Sequence, residues 1–338
     1  MRAAVLKDKL QIAIEEIPVP QIKPDEVLVE VKVCGICGSD LHAYTDLTFP
    51  PGTVMGHEFS GVITQTGAQI KNWQAGQRVV VRPCGICGEC YYCINGQISI
   101  CPTHMNTTLG LKRPGAYAEY VAVPEYMLFA LPDNISFEQA AQLEPVTVAV
   151  HALNMAQIQL GETVLVYGAG PIGLLTMQLS RLAGASEIVI VEKSELRREI
   201  ARKLGFNNVY HPADFDGAAW CNKLPRPGFD LAFECAGVEV TIQETFKHVR
   251  KGGRIIMLGL SPQPVSIDHF QWIVKGIEVR ASMGYFINDF QVALNLLEKG
   301  SINVDALVTD IISLEDVVEK GFNRLLNPEQ SVKILLRP

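Results

Sequence analysis

A glycine-rich turn between an apolar strand and a helix is the feature that most constrains the fold. The segment TVLVY (163–167) is typical of a buried strand, GAGPIG (168–173) follows it, and a helix is expected from residue 174. Three further buried-strand candidates follow, separated by longer and partly helical stretches: EIVIVE (187–192), FDLAFECAG (229–237) and GGRIIMLGL (252–260). Strands that alternate with helices predict a parallel sheet with right-handed crossovers. The fold class is therefore α/β, and residues 147–283 are expected to form a doubly wound parallel sheet.

The glycine spacing of this turn is typical of dinucleotide-binding proteins when a strand precedes it and a helix follows. Gly168 permits the tight turn, Gly170 lets the backbone approach a pyrophosphate, and Gly173 allows close packing of the helix on the strand. Pro171 and Ile172 lie between the last two glycines, at the start of the helix, where free N–H groups face the phosphates. The sequence therefore predicts that these five residues bind a dinucleotide.

Glu192 predicts which dinucleotide is bound, because it ends the next strand about twenty residues after the turn. A carboxylate at this position accepts hydrogen bonds from ribose hydroxyls and repels a 2′-phosphate, so NAD is expected rather than NADP. Arg197 could instead bind a 2′-phosphate, although Glu195 and Glu199 flank it. The simpler alternative for Glu192 is a strand-end carboxylate that faces solvent.

The pattern changes on either side of this segment. Residues 27–33 alternate, with four valines on one side, and 58–67 and 77–83 are further short strand candidates. Beyond residue 284, one helix is expected to end at Gly300, another to begin near Ser313, and a strand to close the chain.

Five cysteines lie within the nineteen residues of PCGICGECYYCINGQISIC (83–101). Four of them are expected to bind one zinc ion: Cys87, Cys90, Cys93 and Cys101. The two-residue spacers let neighbouring thiolates face one ion, and four thiolates complete the tetrahedron that zinc prefers. Such a site has no open position, so this zinc is expected to be structural. Buried free thiols are the alternative, and Cys84 could replace one ligand in a shifted register.

The charge and apolar pattern of the 338-residue chain disfavour several classes of function. The net charge of −7 predicts no generic attraction to nucleic acid or to an anionic membrane. The sequence contains no uninterrupted run of about 18 apolar residues, so no membrane span is expected. Residues 1–20 have no secretory pattern. Proteins held together by disulfides are usually short and secreted. This chain is long and shows no secretory pattern, so a cytoplasmic location is expected.

A second set of metal-binding residue types lies near the first predicted strands. Cys37, His57 and Glu58 carry side chains that bind zinc in proteins. A lone histidine is more often a core residue, but further polar residues follow Cys37 closely and favour a functional site. They are Ser39, Asp40 and His42.

The order of these motifs resembles that of the zinc-dependent medium-chain dehydrogenases over nearly the whole chain. The motifs are Cys37-Gly-Ser39-Asp40-x-His42, Gly56-His57-Glu58, the cysteine cluster, Glu144-Pro145 and the turn at 168–173. The chain is most similar to the polyol and threonine dehydrogenase branch, because Glu144 stands where the alcohol dehydrogenase branch has cysteine. The resemblance implies a GroES-like β-barrel catalytic domain, residues 1–146 with 284–338, and an inserted Rossmann domain of residues 147–283.

The resemblance also implies a catalytic zinc site with one position open to substrate. Cys37 and His57 would be ligands, and Glu144 would be a third ligand, directly or through water. Glu58 would either bind zinc directly or exchange on and off it during turnover. Asp40 would accept a hydrogen bond from His57 and fix its tautomer. Two zinc ions per chain are therefore expected, one catalytic and one structural, together with NAD.

A proton path and two further coenzyme contacts follow from the same resemblance. Ser39 would receive the proton of the alcohol, and His42 would pass it towards solvent. Arg197 occurs in relatives that use either coenzyme, and Lys333 matches a basic position that contacts the pyrophosphate. Ordinary loop hydrogen bonding is the simpler explanation of Ser39 and His42.

The expected function is hydride transfer between NAD and a secondary alcohol, polyol, sugar acid or hydroxy amino acid, in a homodimer or homotetramer. The sequence does not select among these substrates. A zinc-free quinone reductase and a non-catalytic dinucleotide-binding protein are alternatives that the predicted zinc ligands disfavour. A zinc-ribbon nucleic-acid module is a third alternative, but residues 83–101 contain no lysine or arginine.

Overall fold

Strands dominate the first 130 residues of the computed structural model, which describes residues 1–261 and 263–338. The strands are β1 Arg2–Asp8, β2 Gln11–Glu16, β3 Glu26–Gly35, β4 Glu58–Thr66, β5 Arg78–Val81, β6 Tyr120–Pro124, β7 Leu128–Ala130, β8 Thr163–Tyr167, β9 Glu187–Val191, β10 Val209–Tyr210, β11 Phe229–Glu234, β12 Val249–Met257, β13 Glu278–Ala281, β14 Val308–Ser313 and β15 Lys333–Arg337. The helices are α1 Gly38–Asp46, α2 Tyr91–Ile94, α3 His104–Thr107, α4 Phe137–Ala140, α5 Leu143–Ala156, α6 Pro171–Leu182, α7 Glu195–Lys203, α8 Gly217–Lys223, α9 Glu239–His248, α10 His269–Lys275, α11 Asp289–Glu298 and α12 Asn323–Leu325.

A six-stranded sheet carries the glycine-rich turn. Its order is β10-β9-β8-β11-β12-β13, and every neighbouring pair is parallel. All residues of the central strands β8 and β11 are buried, as expected when helices cover both faces of a parallel sheet. The expected doubly wound sheet is therefore confirmed, and β8 delivers the turn to the carboxyl edge of its centre.

A second sheet is largely antiparallel and follows the order β14-β15-β3-β4-β5-β7, with β6 also paired to β3. Only β14 and β15 run parallel within the described residues. The C-terminal strand β15 hydrogen-bonds to the end of β3, where Leu336 lies opposite Cys34. This pairing brings residues some 300 positions apart in the chain to the same end of the sheet.

The alternation predicted for residues 27–33 breaks before the strand ends. The pairing of β3 with β4 shifts register between Val31 and Val33, so the side chain of Val33 leaves the core that Val31 occupies. Val33 packs with Ala141 and Leu335, whereas Cys34 returns to the main core. Such a bulge adds one residue and re-aims those that follow, and here it precedes the metal-binding residue types.

The chain divides into two compact units. One comprises Met1–Glu144, Phe286–Gly300 and Val308–Pro338, and the other comprises Pro145–Tyr285 and Ser301–Leu307. The predicted domain limits at 146/147 and 283/284 lie within a few residues of these, but Ser301–Leu307 was expected with the first unit. This segment is fixed by Gln178, whose side-chain amide donates to the Asn303 carbonyl at 3.3 Å and whose oxygen accepts from the Asn303 N–H at 2.8 Å.

The helix expected to begin near Ser313 takes a different form. A 3₁₀ turn, Leu314–Asp316, leads into a π-helix, Val317–Phe322, and then into α12. Val317 and Phe322, five residues apart, are both buried in the core. The wider π turn aligns residues at this spacing, which an α-helix would not. None of the helices in the described part of the chain is long and apolar enough to cross a membrane.

Candidate metal centres and coenzyme turn

Cys37 lies at the N-terminus of helix α1, immediately beyond the end of β3. It adopts an extended conformation, with φ −95° and ψ 157°, and its N–H donates to Asp40 Oδ2 at 3.0 Å. A carboxylate at this position of the first turn accepts an otherwise unpaired N–H and favours the helix start. The sequence of strand, bulge and capped helix therefore fixes where the Cys37 thiol lies.

His57 and Glu58 reach the same place from β4. Glu58 is the first residue of β4 and pairs with Gly35 of β3. The preceding Gly56 has φ +93°, a conformation that residues with a side chain rarely adopt. Both His57 and Glu58 are buried.

The ligand atoms of Cys37, His57 and Glu58 all lie within 4.8 Å of one another. A thiol, an imidazole and a carboxylate are the groups that hold catalytic zinc in proteins, and three protein ligands leave a position for substrate. The donor set therefore fits zinc. Three of the four predicted catalytic ligands converge, and Glu144 is not a member of this group.

Glu144 nevertheless responds electrostatically to the group. The pKa of the Glu144 carboxyl is raised to about 7; burial is the largest cause and the Glu58 charge adds to it, whereas His57 and Lys333 oppose the rise. Removal from water thus outweighs the two nearby positive charges.

Asp40 is fully buried and lies beside His57, which it was expected to support, and also beside Cys37. Its Oδ2 accepts from the Cys37 N–H, and its Oδ1 lies 3.6 Å from His57 Nδ1. Neither of these last two atoms has a hydrogen-bond partner in the described part of the chain. Although burial opposes protonation of His57, the Asp40 charge raises its pKa well above the usual value. The predicted Asp40–His57 pair is therefore adjacent but longer than a hydrogen bond.

Lys333 occupies a place that the sequence did not indicate. It is 2% exposed, and its ammonium forms an ion pair with the Glu58 carboxylate and donates to the Ile36 carbonyl at 2.9 Å. Gly35 leaves room for the pair, because a side chain there would overlap the Glu58 carboxylate. The partner of Lys333 is thus a metal-ligand candidate, and the expected pyrophosphate contact gains no support from this placement.

Sequence reasoning did not identify Tyr117, whereas it identified Lys333 in a different role. Its hydroxyl donates to Asp40 Oδ2 at 2.7 Å, and the ring is fully buried. Burial is the main cause that raises the pKa of the phenol well above its usual value, so it remains a donor at neutral pH. Neither Tyr117 nor Lys333 belongs to a local motif, so only the tertiary structure brings them to the site.

Ser39 and His42 lie on helix α1, three residues apart and therefore on neighbouring positions of one helix face. Both are partly exposed. His42 Nδ1 lies 3.8 Å from Asp46 Oδ2 at the far end of the helix. The two residues are therefore neighbours on the helix that begins directly after Cys37.

The four cysteines of the cluster also converge, with all four sulfur atoms within 4.8 Å of one another. Cys87 Sγ lies 3.8 Å from Cys93 Sγ and 3.6 Å from Cys101 Sγ. A tetrahedron with Zn–S bonds of about 2.3 Å has edges of about 3.8 Å, so these spacings fit zinc. The N–H groups of Glu89 and Cys90 lower the pKa of the Cys87 thiol.

Cys84 is buried and lies outside the four-cysteine group. Cys84 is therefore not one of the converging cysteines, and the shifted ligand register is not adopted. No cysteine of the described residues forms a disulfide.

The glycine-rich turn has the geometry that its spacing predicts. Gly168 has φ +89°, Gly170 precedes α6, and Pro171 is the first residue of that helix. A side chain at Gly173 would overlap the Gly168 carbonyl, whereas one at Gly170 would meet only Arg197, at 3.8 Å. Gly170 therefore leaves open space above the helix N-terminus, which suits a pyrophosphate.

Glu192 and Arg197 both lie beside this turn. Glu192 Oε2 accepts from the Ala169 N–H at 2.6 Å, and Oε1 accepts from the Ser194 N–H at 2.8 Å. Glu192 is therefore a buried carboxylate fixed against the turn, and not a solvent-facing one. The Nε atom of Arg197 is buried and has no hydrogen-bond partner in the described ranges.

A cavity of about 210 Å³ adjoins the carboxylate. Apolar side chains line it together with Gly168, Thr241 and three charged residues, Glu192, Lys193 and Glu244. A cavity that combines apolar walls with a few polar groups is typical of a site for a small ligand or cofactor. Its position fits the adenosine part of a dinucleotide whose pyrophosphate lies at Gly170.

Comparison with known proteins agrees with both units. A model of the alcohol dehydrogenase GroES-like domain matches residues 23–133, and a zinc-binding dehydrogenase model matches residues 171–299. The chain is 35% identical to (R,R)-butanediol dehydrogenase of Bacillus subtilis (strain 168) over 358 aligned positions that span 100% of both proteins. The chain belongs to the zinc-dependent medium-chain alcohol and polyol dehydrogenases.

Two further relatives support this family. Sorbitol dehydrogenase of Bacillus subtilis (strain 168) is 31% identical over 348 positions, which span 100% of this chain and 97% of that protein. The crystal structure of an alcohol dehydrogenase from E. coli CFT073, complexed with NADH, has a TM-score of 0.92 at 29% identity and covers 100% and 99% of the two chains. The expected family, the GroES-like and Rossmann folds and the assignment as an oxidoreductase are thereby confirmed.

Proposed function

We propose that this dehydrogenase transfers hydride between NAD and a secondary alcohol, polyol, sugar acid or hydroxy amino acid. The observation that carries the proposal is the convergence of Cys37, His57 and Glu58 within 4.8 Å. The names of the relatives support the substrate class, because they include butanediol, sorbitol and threonine dehydrogenases. A second zinc, held by the four-cysteine group, would stabilise the fold.

When bound by Cys37, His57 and Glu58, zinc would act as a Lewis acid and lower the pKa of the substrate hydroxyl. Asp40 beside His57 Nδ1 leaves Nε2 as the imidazole nitrogen available to a cation. Lys333 forms a buried ion pair with the Glu58 carboxylate and would oppose its exchange on and off the metal. Glu144 would complete the ligand set, directly or through water.

The proton of the alcohol would leave along helix α1. Ser39 would accept it first, and His42, its neighbour on the same face, would pass it to solvent. Both residues are partly exposed, which supports a path from the site outwards. Ordinary local hydrogen bonding of the hydroxyl and the imidazole is the alternative, and it predicts that Ser39→Ala leaves kcat unchanged.

The coenzyme would lie on the turn with its adenosine part in the adjoining cavity. Glu192, fixed by the Ala169 and Ser194 N–H groups, would accept hydrogen bonds from the ribose and repel a 2′-phosphate. This favours NAD, although one similar structure is complexed with NADH and another is bound to NADP. Arg197, next to Gly170, would attract the phosphates of either coenzyme.

The proposal extends to assembly and location. Exposed apolar side chains on α10, Phe270 and Ile273 among them, lie in a helix that has no buried residue. Together with the open edge of the sheet at β13, they favour a homodimer or homotetramer. Thiol ligands are maintained in reducing compartments, which supports the cytoplasm.

The decisive experiment is a panel of secondary alcohols, diols, polyols, sugar acids and threonine, assayed with NAD and with NADP by NAD(P)H absorbance. At least one class should be oxidised, with NAD preferred. Ser39→Ala should lower kcat by about 10²-fold, since proton transfer contributes 10²–10⁴-fold, and leave NAD binding unchanged. Thr45→Val, which removes another hydroxyl from α1, is the matched control. Coenzyme binding without turnover of any alcohol would instead support a non-catalytic relative.

A further inference from the structure

The Tyr117 hydroxyl is aimed at the carboxylate that supports the candidate catalytic metal site. It donates to Asp40 Oδ2 at 2.7 Å, and both side chains are fully buried. The same oxygen accepts from the Cys37 N–H at 3.0 Å. Its Oδ1 is thus the oxygen left to face His57 Nδ1, at 3.6 Å.

Backbone hydrogen bonds and ring packing hold Tyr117 firmly enough to orient Asp40. Its N–H donates to the Met55 carbonyl at 2.9 Å, and its carbonyl accepts from the Ala4 N–H at 2.8 Å. The ring lies directly against Gly56, where an added side chain would come within 2.5 Å of it. The ring also meets the Phe322 ring edge-on, with centroids 6.2 Å apart.

These hydrogen bonds and contacts also connect Tyr117 to the segment that carries His57. The N–H groups of Gly115, Ala116 and Tyr117 pair with the carbonyls of three consecutive residues, Val54 to Gly56. The residue before His57 is therefore fixed by both the backbone and the ring of this short segment. Through the hydroxyl, the same tyrosine reaches the carboxylate that also holds the Cys37 backbone.

Packing alone does not account for the hydroxyl. Phenylalanine would fill the same volume, whereas a buried hydroxyl loses its hydration and must be compensated by a hydrogen bond. The Asp40 carboxylate is the closer of the two acceptors of this hydroxyl, at 2.7 Å, because the Gly35 carbonyl lies 3.4 Å away. The bond is therefore directed and charge-assisted, and it restricts the rotation of Asp40.

We propose that Tyr117 is a positioning residue for the metal centre, and that its hydroxyl orients Asp40 so that Cys37 and His57 present their ligand atoms together. The inference rests on the proposed metal site at Cys37, His57 and Glu58. Without the hydroxyl, Asp40 Oδ2 keeps only the Cys37 N–H, and the carboxylate is free to turn away from His57. The ligands remain present, but they are held less firmly.

The test is the affinity of Tyr117→Phe for Co²⁺ and Zn²⁺, measured by competition with a chromogenic chelator after removal of the metals. We expect affinity at the Cys37 site to fall by about tenfold, the lower end of the range for residues that support metal ligands. The absorption bands of Co²⁺ at this site should also shift. Tyr44→Phe is the matched control, because its buried hydroxyl contacts Asn323 at 3.3 Å and not Asp40.

Metal binding by the four-cysteine group reports whether each variant is folded, and it should not change. A double-mutant cycle with Asp40→Asn provides a second measurement. If Tyr117 acts through Asp40, Tyr117→Phe should add little once Asp40 is replaced. Wild-type affinity in Tyr117→Phe, or full additivity in the cycle, would overturn the inference. Failure of the wild-type protein to bind a second ion would instead refute the proposed function.

Discussion

Replacement of Lys333 by methionine tests the buried ion pair at the metal site. Methionine keeps most of the length of the side chain and removes the ammonium. The variant leaves the Glu58 carboxylate and the Ile36 carbonyl without the donor that both now share. Both charged side chains are 1–2% exposed, so water does not replace the lost partner.

The expected cost follows from this burial. Removing one partner of a buried ion pair destabilises a protein by about 3–5 kcal/mol, because the remaining charge is uncompensated. For a unit of this size, that corresponds to a fall of roughly 6–20 °C in Tm. Zinc-loaded protein should lose less, because a cation beside Glu58 would partly replace the ammonium. Lys320→Met, which breaks an exposed pair with Asp316, should cost at most about 1 kcal/mol.

The assay is thermal unfolding of metal-free and zinc-loaded protein, with hydrogen exchange in β4 and β15 to locate the effect. Lys333→Met combined with Glu58→Gln should recover most of the lost stability, since removing both charges of a buried pair is close to neutral. Two results would refute the reasoning: a single variant as stable as Lys320→Met, or a double variant no more stable than the single one.

Two further predictions concern the coenzyme-binding unit. Glu192→Gln should lower the preference for NAD over NADP by about tenfold or more in kcat/KM, because the charge that repels a 2′-phosphate is lost; an unchanged ratio would exclude this role. The Asp230 carboxylate accepts hydrogen bonds from the Thr163 N–H and from the Arg250 side chain. Burial raises the pKa of this carboxyl, but these hydrogen bonds outweigh burial and lower the pKa below its usual value. Its contribution to stability should therefore be complete above about pH 4 and be lost as the pH falls through the lowered pKa. Asp230→Asn should flatten acid unfolding in this range, and an unaltered acid transition would contradict the assignment.

Local patterns predicted a large part of this structure. The turn at Gly168 to Gly173 was predictable because two of its glycines meet local steric requirements: Gly168 has a positive φ, and a side chain at Gly173 would overlap the Gly168 carbonyl. The cysteine cluster was predictable because short spacers bring thiols together without help from distant residues. In both cases the information lies within about twenty consecutive residues, as the dinucleotide fingerprint itself does.

The support of the catalytic site could not be predicted in this way. Lys333 reaches Glu58 only because β15 pairs with the end of β3, and Tyr117 reaches Asp40 only through its pairing with Met55. No glycine within residues 27–33 marks the bulge after Val31. The predicted alternation therefore wrongly included Val33. These contacts arise from sheet register, which single-sequence patterns specify poorly when valines continue on both sides.

The central claim is that a metal ion binds at Cys37, His57 and Glu58, separate from the four-cysteine site. The most direct measurement is the metal content of purified and zinc-reconstituted protein, compared with that of Cys37→Ala. The wild-type chain should hold two zinc ions, and the variant should hold one while losing alcohol oxidation. A wild-type chain that takes up one ion even after reconstitution, or a variant that retains two, would contradict the account.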